Sequence, residues 1–436
     1  MKRRLLYTSA FILFVSTVFA QLPCNVMLGY YQTSWGTYVR LKDIDPNYNV
    51  IALAFMEAFG GDGLPDNNTV SKLSFYATKD SDLRSDIKTV QGQGKKVILS
   101  VGGASGSFKL TSDAEMNTFV TKMKSTIQTY KLDGMDLDME RSTYLKQVSG
   151  GTISNPEAHI SRLITGIQQI LDWYKTTYSK KMILTMVPEV AYTVGGLSDY
   201  MSTTYGVAYL PIIEALRNDI DLVMVQLYNA SGGSYGLDNV VYNQGTADFI
   251  ISQTEAMIKG FTCKNGKGKF SGLAATQIAV CLPATSGSGY VSTATVKSAI
   301  NYLRGVGSKP GSYTLQKAGG YPGLRGMATW SVQNDLDGGY TYAKNFATIF
   351  TSCLLTDIEE PLVAESFKLY PNPADHQLTV ETTLLQGQTL SVYNTFGQVV
   401  LQHYVIDMNT VLDISSLAPG FYTVSAGGAM EKVIVE

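Results

Sequence analysis

The 436-residue chain carries 34 basic and 36 acidic side chains, for a net charge of −2, and 45% of its residues are hydrophobic. That balance, with no long basic run, leaves no electrostatic footprint for nucleic acid. The length allows one large domain and a smaller one, with room for a sizeable core.

At the start, Lys2, Arg3 and Arg4 precede an apolar run from Leu5 to Val18, and Val18-Phe19-Ala20 offers a small-residue cleavage site. This reads as a secretory signal peptide over residues 1–20 rather than an anchor. No later stretch is apolar for long enough to span a bilayer. Then come Met27–Tyr31, Val50–Phe55 and Lys96–Ser100, each short and apolar enough to be a buried strand, the third running into Val101-Gly102-Gly103. Ser112 to Tyr130 has helical spacing, with Ser112 and Glu115 as a capping box.

Asp133-Gly134-Met135-Asp136-Leu137-Asp138-Met139-Glu140 follows. As a strand it puts Asp136, Asp138 and Glu140 on one face and Met135, Leu137 and Met139 on the other. Three carboxylates this crowded cannot all ionise freely, so at least one pKa should rise. A carboxyl kept protonated near neutral pH is what general acid catalysis requires. A calcium loop of the EF-hand kind would need glycine at its sixth position and further oxygen ligands, which this spacing does not supply.

A second helix has Pro156 near its start and an apolar face from Ile160 to Leu171. The remaining strands are Met182–Met186, Asp221–Tyr228, Ile278–Leu282 and Arg325–Trp330. Eight strands alternating with helical segments predict an α/β fold, a (β/α)8 TIM barrel, over residues 21–355. Sites in that fold sit at the C-terminal ends of the strands, where Ser100, Glu140, Met186, Tyr228 and Trp330 fall. Residues 356–366 read as a linker. Residues 367–436 hold about seven short alternating segments separated by turn residues, a small C-terminal β-sandwich domain.

Of the four cysteines, Cys24 and Cys353 flank the large domain, and the ends of a closed barrel meet, so they are expected to pair. Cys263 and Cys281 read equally as a pair or as two free buried thiols. No Cys or His cluster has metal spacing, and His159, His376 and His403 are isolated, so no metal or cofactor is expected.

The order of these motifs resembles glycoside hydrolase family 18, the family of many chitinases. Asp133, Asp136, Asp138 and Glu140 match its DxxDxDxE signature, and Ser100-Val101-Gly102-Gly103 its SxGG motif. Leu184 to Glu189, Gln226 to Asn229 and Met327 to Ser331 resemble its later strands. The resemblance implies Glu140 as general acid and then base. It implies a nucleophile supplied by the substrate's own N-acetyl group, for which the family is an exception to the two-carboxylate scheme. Asp138 would orient the acetamide, Asp136 would share a proton with Asp138, and Tyr228 would donate to the acetamide oxygen. Tyr30 and Ser100 would support the carboxylates, while Met186, Gln226 and Trp330 would shape the pocket, Trp330 as its floor. The implied substrate is chitin or chito-oligosaccharides, with the chitobiose core of N-glycans, cut by an endo-β-N-acetylglucosaminidase, as the alternative. A non-catalytic lectin on the same barrel is a third reading, against which Glu140 stands. The chain between the seventh and eighth strands is short, which implies an open cleft, with Trp35 as an outer aromatic subsite.

Leu369 to Ala374, Val392 to Gly397 and Leu417 to Tyr422 resemble the C-terminal sorting domain of the type IX secretion system. That implies export to the cell surface or medium and the type IX machinery as partner. The basic terminal motif is thin, with only Lys432 before Val435 and Glu436.

Overall fold

Runs of Val, Ile, Leu and Ala too short for helices become eight parallel strands in a computed structural model, which describes residues 22–58, 68–140, 142–147, 150–352, 367–381, 389–394, 398–404, 409–426 and 429–436. The expected signal peptide and linker lie outside the described residues. The strands are β1 Val26–Gln32, β2 Val50–Glu57, β3 Lys96–Gly102, β4 Gly134–Met139, β5 Ile183–Met186, β6 Leu222–Val223, β7 Ala279–Pro283 and β8 Gly326–Trp330. Neighbours pair in the order β7-β8-β1-β2-β3-β4-β5-β6. Single bridges, Val223 to Ile278 and Gln226 to Cys281, close the ring between β6 and β7. The fold is therefore the expected (β/α)8 barrel.

Helices follow seven of the strands: α1 Asp80–Gly92, α2 Asp113–Tyr130, α3 Ala158–Tyr178, α4 Leu210–Leu216, α5 Ala247–Lys259, α6 Thr293–Leu303 and α7 Thr341–Ile349. Between β1 and β2 there is only a short 3-10 turn, Leu41–Asp43. At the start of α2, Ser112 Oγ accepts from the Glu115 N–H at 3.2 Å, as a cap should. Glu115 does not return the bond to Ser112; its carboxylate accepts from the Thr111 N–H and hydroxyl instead. Helix α3 begins at Ala158, after Pro156, because Glu157 is extended and its N–H is taken by Gln147 Oε1 at 2.8 Å.

Two apolar layers result. A narrow one inside the barrel contains Leu28, Ala52, Ile98, Ile183, Met224 and Ala328. A larger one between strands and helices contains Leu53, Leu99, Met135, Leu137, Phe119 and Ile167. Each fully buried Leu or Ile there contributes about 1.5–3 kcal/mol of transfer free energy. Between β7 and β8 lie only α6 and a loop, with no inserted sheet. Two antiparallel hairpins that the sequence reading passed over, Gly233–Tyr235 with Val241–Asn243 and Phe261–Cys263 with Gly268–Phe270, decorate the later strands. Cys24 is disulfide-bonded, and its expected partner Cys353 lies outside the described residues. Cys263 and Cys281 are free and buried.

Residues 357–436 form a separate unit. It has a three-stranded and a four-stranded antiparallel sheet. Leu378, Val380, Leu390, Val392, Leu412, Val424 and Val433 form its core.

Candidate active site

The site is built on β4. Its first acid, Asp133, sits just before the strand and accepts from Val97 N–H at 3.0 Å and Gln91 Nε2 at 2.9 Å, tying β4 to its neighbour. Gly134 has no room for a side chain, since a Cβ would lie 2.2 Å from the Ile183 carbonyl. From there the chain alternates: Met135, Leu137 and Met139 enter the outer layer, and Asp136 and Asp138 face the barrel axis.

Asp136 is fully buried and accepts three hydroxyl bonds, from Tyr30 at 2.9 Å, Ser100 at 2.7 Å and Thr185 at 2.5 Å. Burial raises its pKa, and those three donors oppose the rise. Asp138 receives one neutral donor, Gln226 Nε2 at 3.1 Å, which also reaches Glu140 Oε1 at 3.3 Å. Its pKa stands well above the ordinary aspartate value, first through burial, then through the charges of Glu140, Asp136 and Glu189 and a hydrogen bond with Glu140. Three hydroxyls occupy three of the roughly four lone-pair sites of Asp136, and Asp138 is hydrogen-bonded to Glu140; the expected sharing of a proton between Asp136 and Asp138 stays a proposal.

Glu140 follows the last residue of β4 and is half-buried. Its N–H donates to Ser107 Oγ at 2.9 Å. Ser107 is brought there by the turn after β3, where Gly102 (φ 115°) and Gly103 (φ 76°) admit no side chain: a Cβ would strike the Asp138 carbonyl at 2.2 Å and the Phe55 ring at 2.7 Å.

Tyr228 is half-buried beside these acids, with a hydroxyl whose pKa is driven well above the usual value by burial and by Cys281, Asp138 and Glu140. Trp330 stacks on Phe55 at 5.4 Å with 5° between planes, and lies 6.0 Å from Tyr30. Trp35, 41% exposed, packs 6.4 Å from Trp330 and 6.1 Å from Phe55, inside the aromatic cluster rather than beyond it.

Met186 does not join the site. It pairs in register with Leu137, which faces outward, and is buried in the layer under the helices. Thr185, in register with Asp136, faces inward in its place. Thr185, Ser107, Phe55 and Glu189 were missed in the sequence. A lone hydroxyl in the apolar run Ile183-Leu184-Thr185-Met186 was the available signal for the first, and Glu189 ends the stretch from Leu184 that resembles a family strand; Ser107 and Phe55 carried none.

The arrangement presents Asp138 hydrogen-bonded to Glu140, in a buried acid cluster beside an aromatic wall. Comparison with known proteins gives three findings. The model of "Glycosyl hydrolases family 18" matches residues 27–335, and that of "Secretion system C-terminal sorting domain" matches residues 368–436. Chitinase Chi52 of Paenibacillus xylanexedens is 38% identical over 319 residues, covering 71% of this chain and 58% of that protein. Chitinase ChiA of Flavobacterium johnsoniae is 31% identical over 414 residues, covering 90% of this chain and 26% of that one. The chain thus spans well under two thirds of the length of either relative. A crystal structure of a family GH18 chitinase from Chromobacterium violaceum superposes with a TM-score of 0.63 at 30% identity, covering 76% of this chain and 85% of that one.

Proposed function

The chain belongs to glycosyl hydrolases family 18, and on that footing we propose that it is a chitinase, cutting β-1,4 bonds between N-acetylglucosamine units with retention of configuration. The observation that carries the reading is the pairing of Asp138 with Glu140 at the end of β4, with Gln226 bridging both.

In this reading Glu140 protonates the glycosidic oxygen as the bond to the leaving sugar breaks. The carbonyl oxygen of the substrate's own acetamide attacks the anomeric carbon, forming an oxazolinium ion. Asp138 accepts from the acetamide N–H and offsets the positive charge that develops there. Tyr228, kept neutral by burial, donates to the acetamide oxygen and aims it. Water then opens the ring while Glu140 takes its proton, restoring the acid. Asp136, whose hydroxyl bonds from Tyr30, Ser100 and Thr185 oppose the rise that burial imposes on its pKa, lies beneath Asp138, where its negative form would favour the proton above it. Trp330 offers a flat apolar floor for the sugar ring, with Trp35 and Phe55 extending the aromatic surface. Met186 has no part in it.

The C-terminal sorting domain marks the chain as secreted, extracellular or surface-attached. We take the type IX machinery as its partner. No helix among the described residues is long and apolar enough to cross a membrane.

The test is product analysis. Purified wild type and Glu140→Gln are incubated with chito-oligosaccharides and with a high-mannose glycoprotein. Release of N-acetylglucosamine oligomers by wild type alone is expected. Release of intact glycans would move the assignment to an endo-β-N-acetylglucosaminidase, and binding without cleavage would make the protein a lectin.

A further inference from the structure

The acid end of β4 lacks a sheet partner on one side. The β4–β5 ladder runs as far as the Val187 N–H, which donates to the Leu137 carbonyl at 3.0 Å. Its next rung would join the Met139 N–H to the Val187 carbonyl. That carbonyl is taken by Gln226 Nε2 at 3.1 Å, and Pro188 turns β5 toward β6, where its carbonyl accepts from the Gln226 N–H at 2.9 Å. The strand carrying Asp138 and Glu140 would be left with an open edge at the point where the chemistry needs it fixed.

A tyrosine fills the gap. Tyr209, just before α4, is completely buried. Its hydroxyl accepts from the Met139 N–H at 2.7 Å and donates to the Leu137 carbonyl at 3.1 Å. One oxygen thereby supplies the acceptor that the missing rung would have given the Met139 N–H, and adds a second donor to the Leu137 carbonyl beside the Val187 N–H. The backbone of Tyr209 is itself anchored, its N–H donating to the Tyr192 carbonyl at 3.2 Å. Met139 lies directly between the two acids in the chain, so holding its peptide fixes the direction in which both side chains leave the strand.

We infer that Tyr209 is a positioning residue for the proposed reaction: its hydroxyl stands in for the strand that β5 withdraws and sets the aim of Asp138 and Glu140. It touches no substrate. This inference rests on the glycosidase reading above and adds to it a group on α4's side of the barrel, outside every motif of the family resemblance.

A matched control exists on the same strand. The hydroxyl of Tyr174, also buried, donates to the Leu132 carbonyl at 3.0 Å, just before β4 and at the opposite end from the acids. Tyr209→Phe and Tyr174→Phe each delete one buried hydroxyl against the backbone flanking one strand, and they differ in which end they loosen. Steady-state kinetics on N-acetylchitohexaose are measured for wild type and both variants. Tyr209→Phe is expected to lower kcat about tenfold with KM within about twofold, because the sugar floor and Tyr228 stand on other strands. Tyr174→Phe is expected to keep both constants. Equal kcat in the two variants would overturn the inference, as would failure of Tyr209→Phe to fold where Tyr174→Phe folds, since the hydroxyl would then be a general structural tie. A wild type that cuts nothing would instead defeat the enzyme reading itself, and this inference with it.

Discussion

Glu255 on α5 and Asp138 on β4 are both buried carboxylates, and they are handled in opposite ways. In the outer shell, Glu255 accepts from Tyr313 Oη at 2.6 Å, Tyr321 Oη at 2.7 Å and the Gln316 N–H at 2.8 Å. Three donors satisfy one carboxyl group, and the loop between α6 and β8 is tied down by it. At the barrel mouth, Asp138 shares its one neutral donor with Glu140 and has Glu140, Asp136 and Glu189 as charged neighbours. Burial and these neighbouring charges push its pKa well above the ordinary aspartate value. Asp136, beside it, is treated as Glu255 is, with three donors of its own. What separates a structural acid from a reactive one here is the supply of donors, since depth of burial is common to all three.

The largest effect that would sharpen this contrast is Glu140→Gln, expected to lower kcat on chito-oligosaccharides about 10³-fold while leaving the thermal midpoint nearly unchanged. The converse is Glu255→Gln. An amide there turns donors toward donors, and urea unfolding should record a loss of about 2–3 kcal/mol with kcat within about twofold of wild type. A large loss of kcat without loss of stability would break the comparison.

The smallest effect concerns pH. The folded pKa of Asp138 is raised, so the folded state holds that proton more tightly than the unfolded chain does. The stability this group contributes is full below the ordinary aspartate pKa of about 3.9 and is lost as pH rises through the raised value. Asp138→Asn removes the ionisation. Its thermal midpoint should match wild type near pH 4 and exceed it by roughly 2 °C at pH 8. A variant less stable than wild type at pH 8 would mean that Asp138 is not under strain.

Much of the site was legible in the sequence because β4 alternates. Acids at every second position name their own face, and the Asp136, Asp138 and Glu140 reading needed only period two. Strand β5 offered no such guide. Ile183-Leu184-Thr185-Met186 is buried on both faces, as strands in parallel sheets are, so its inward side depends on register with Leu137 and Asp136 rather than on its own pattern. That is why Met186 was read as a pocket residue and Thr185 was passed over. The span Asp221–Tyr228 was read as one regular strand, yet only Leu222–Val223 is, since beyond it the ring closes through single bridges. Tyr209 was out of reach for a different reason. Its role comes from a rung missing between two other strands, which no local spacing encodes.

The most direct test of substrate assistance compares hydrolysis of N-acetylchitohexaose with that of the fully deacetylated glucosamine hexamer by the wild-type protein. Without an acetamide the nucleophile is gone, and Asp138 and Tyr228 have nothing to aim. Cleavage of the acetylated hexamer only is the predicted result. Comparable cleavage of both would mean that a protein group or water attacks the anomeric carbon, and the roles given to Asp138, Glu140 and Tyr228 would fall together.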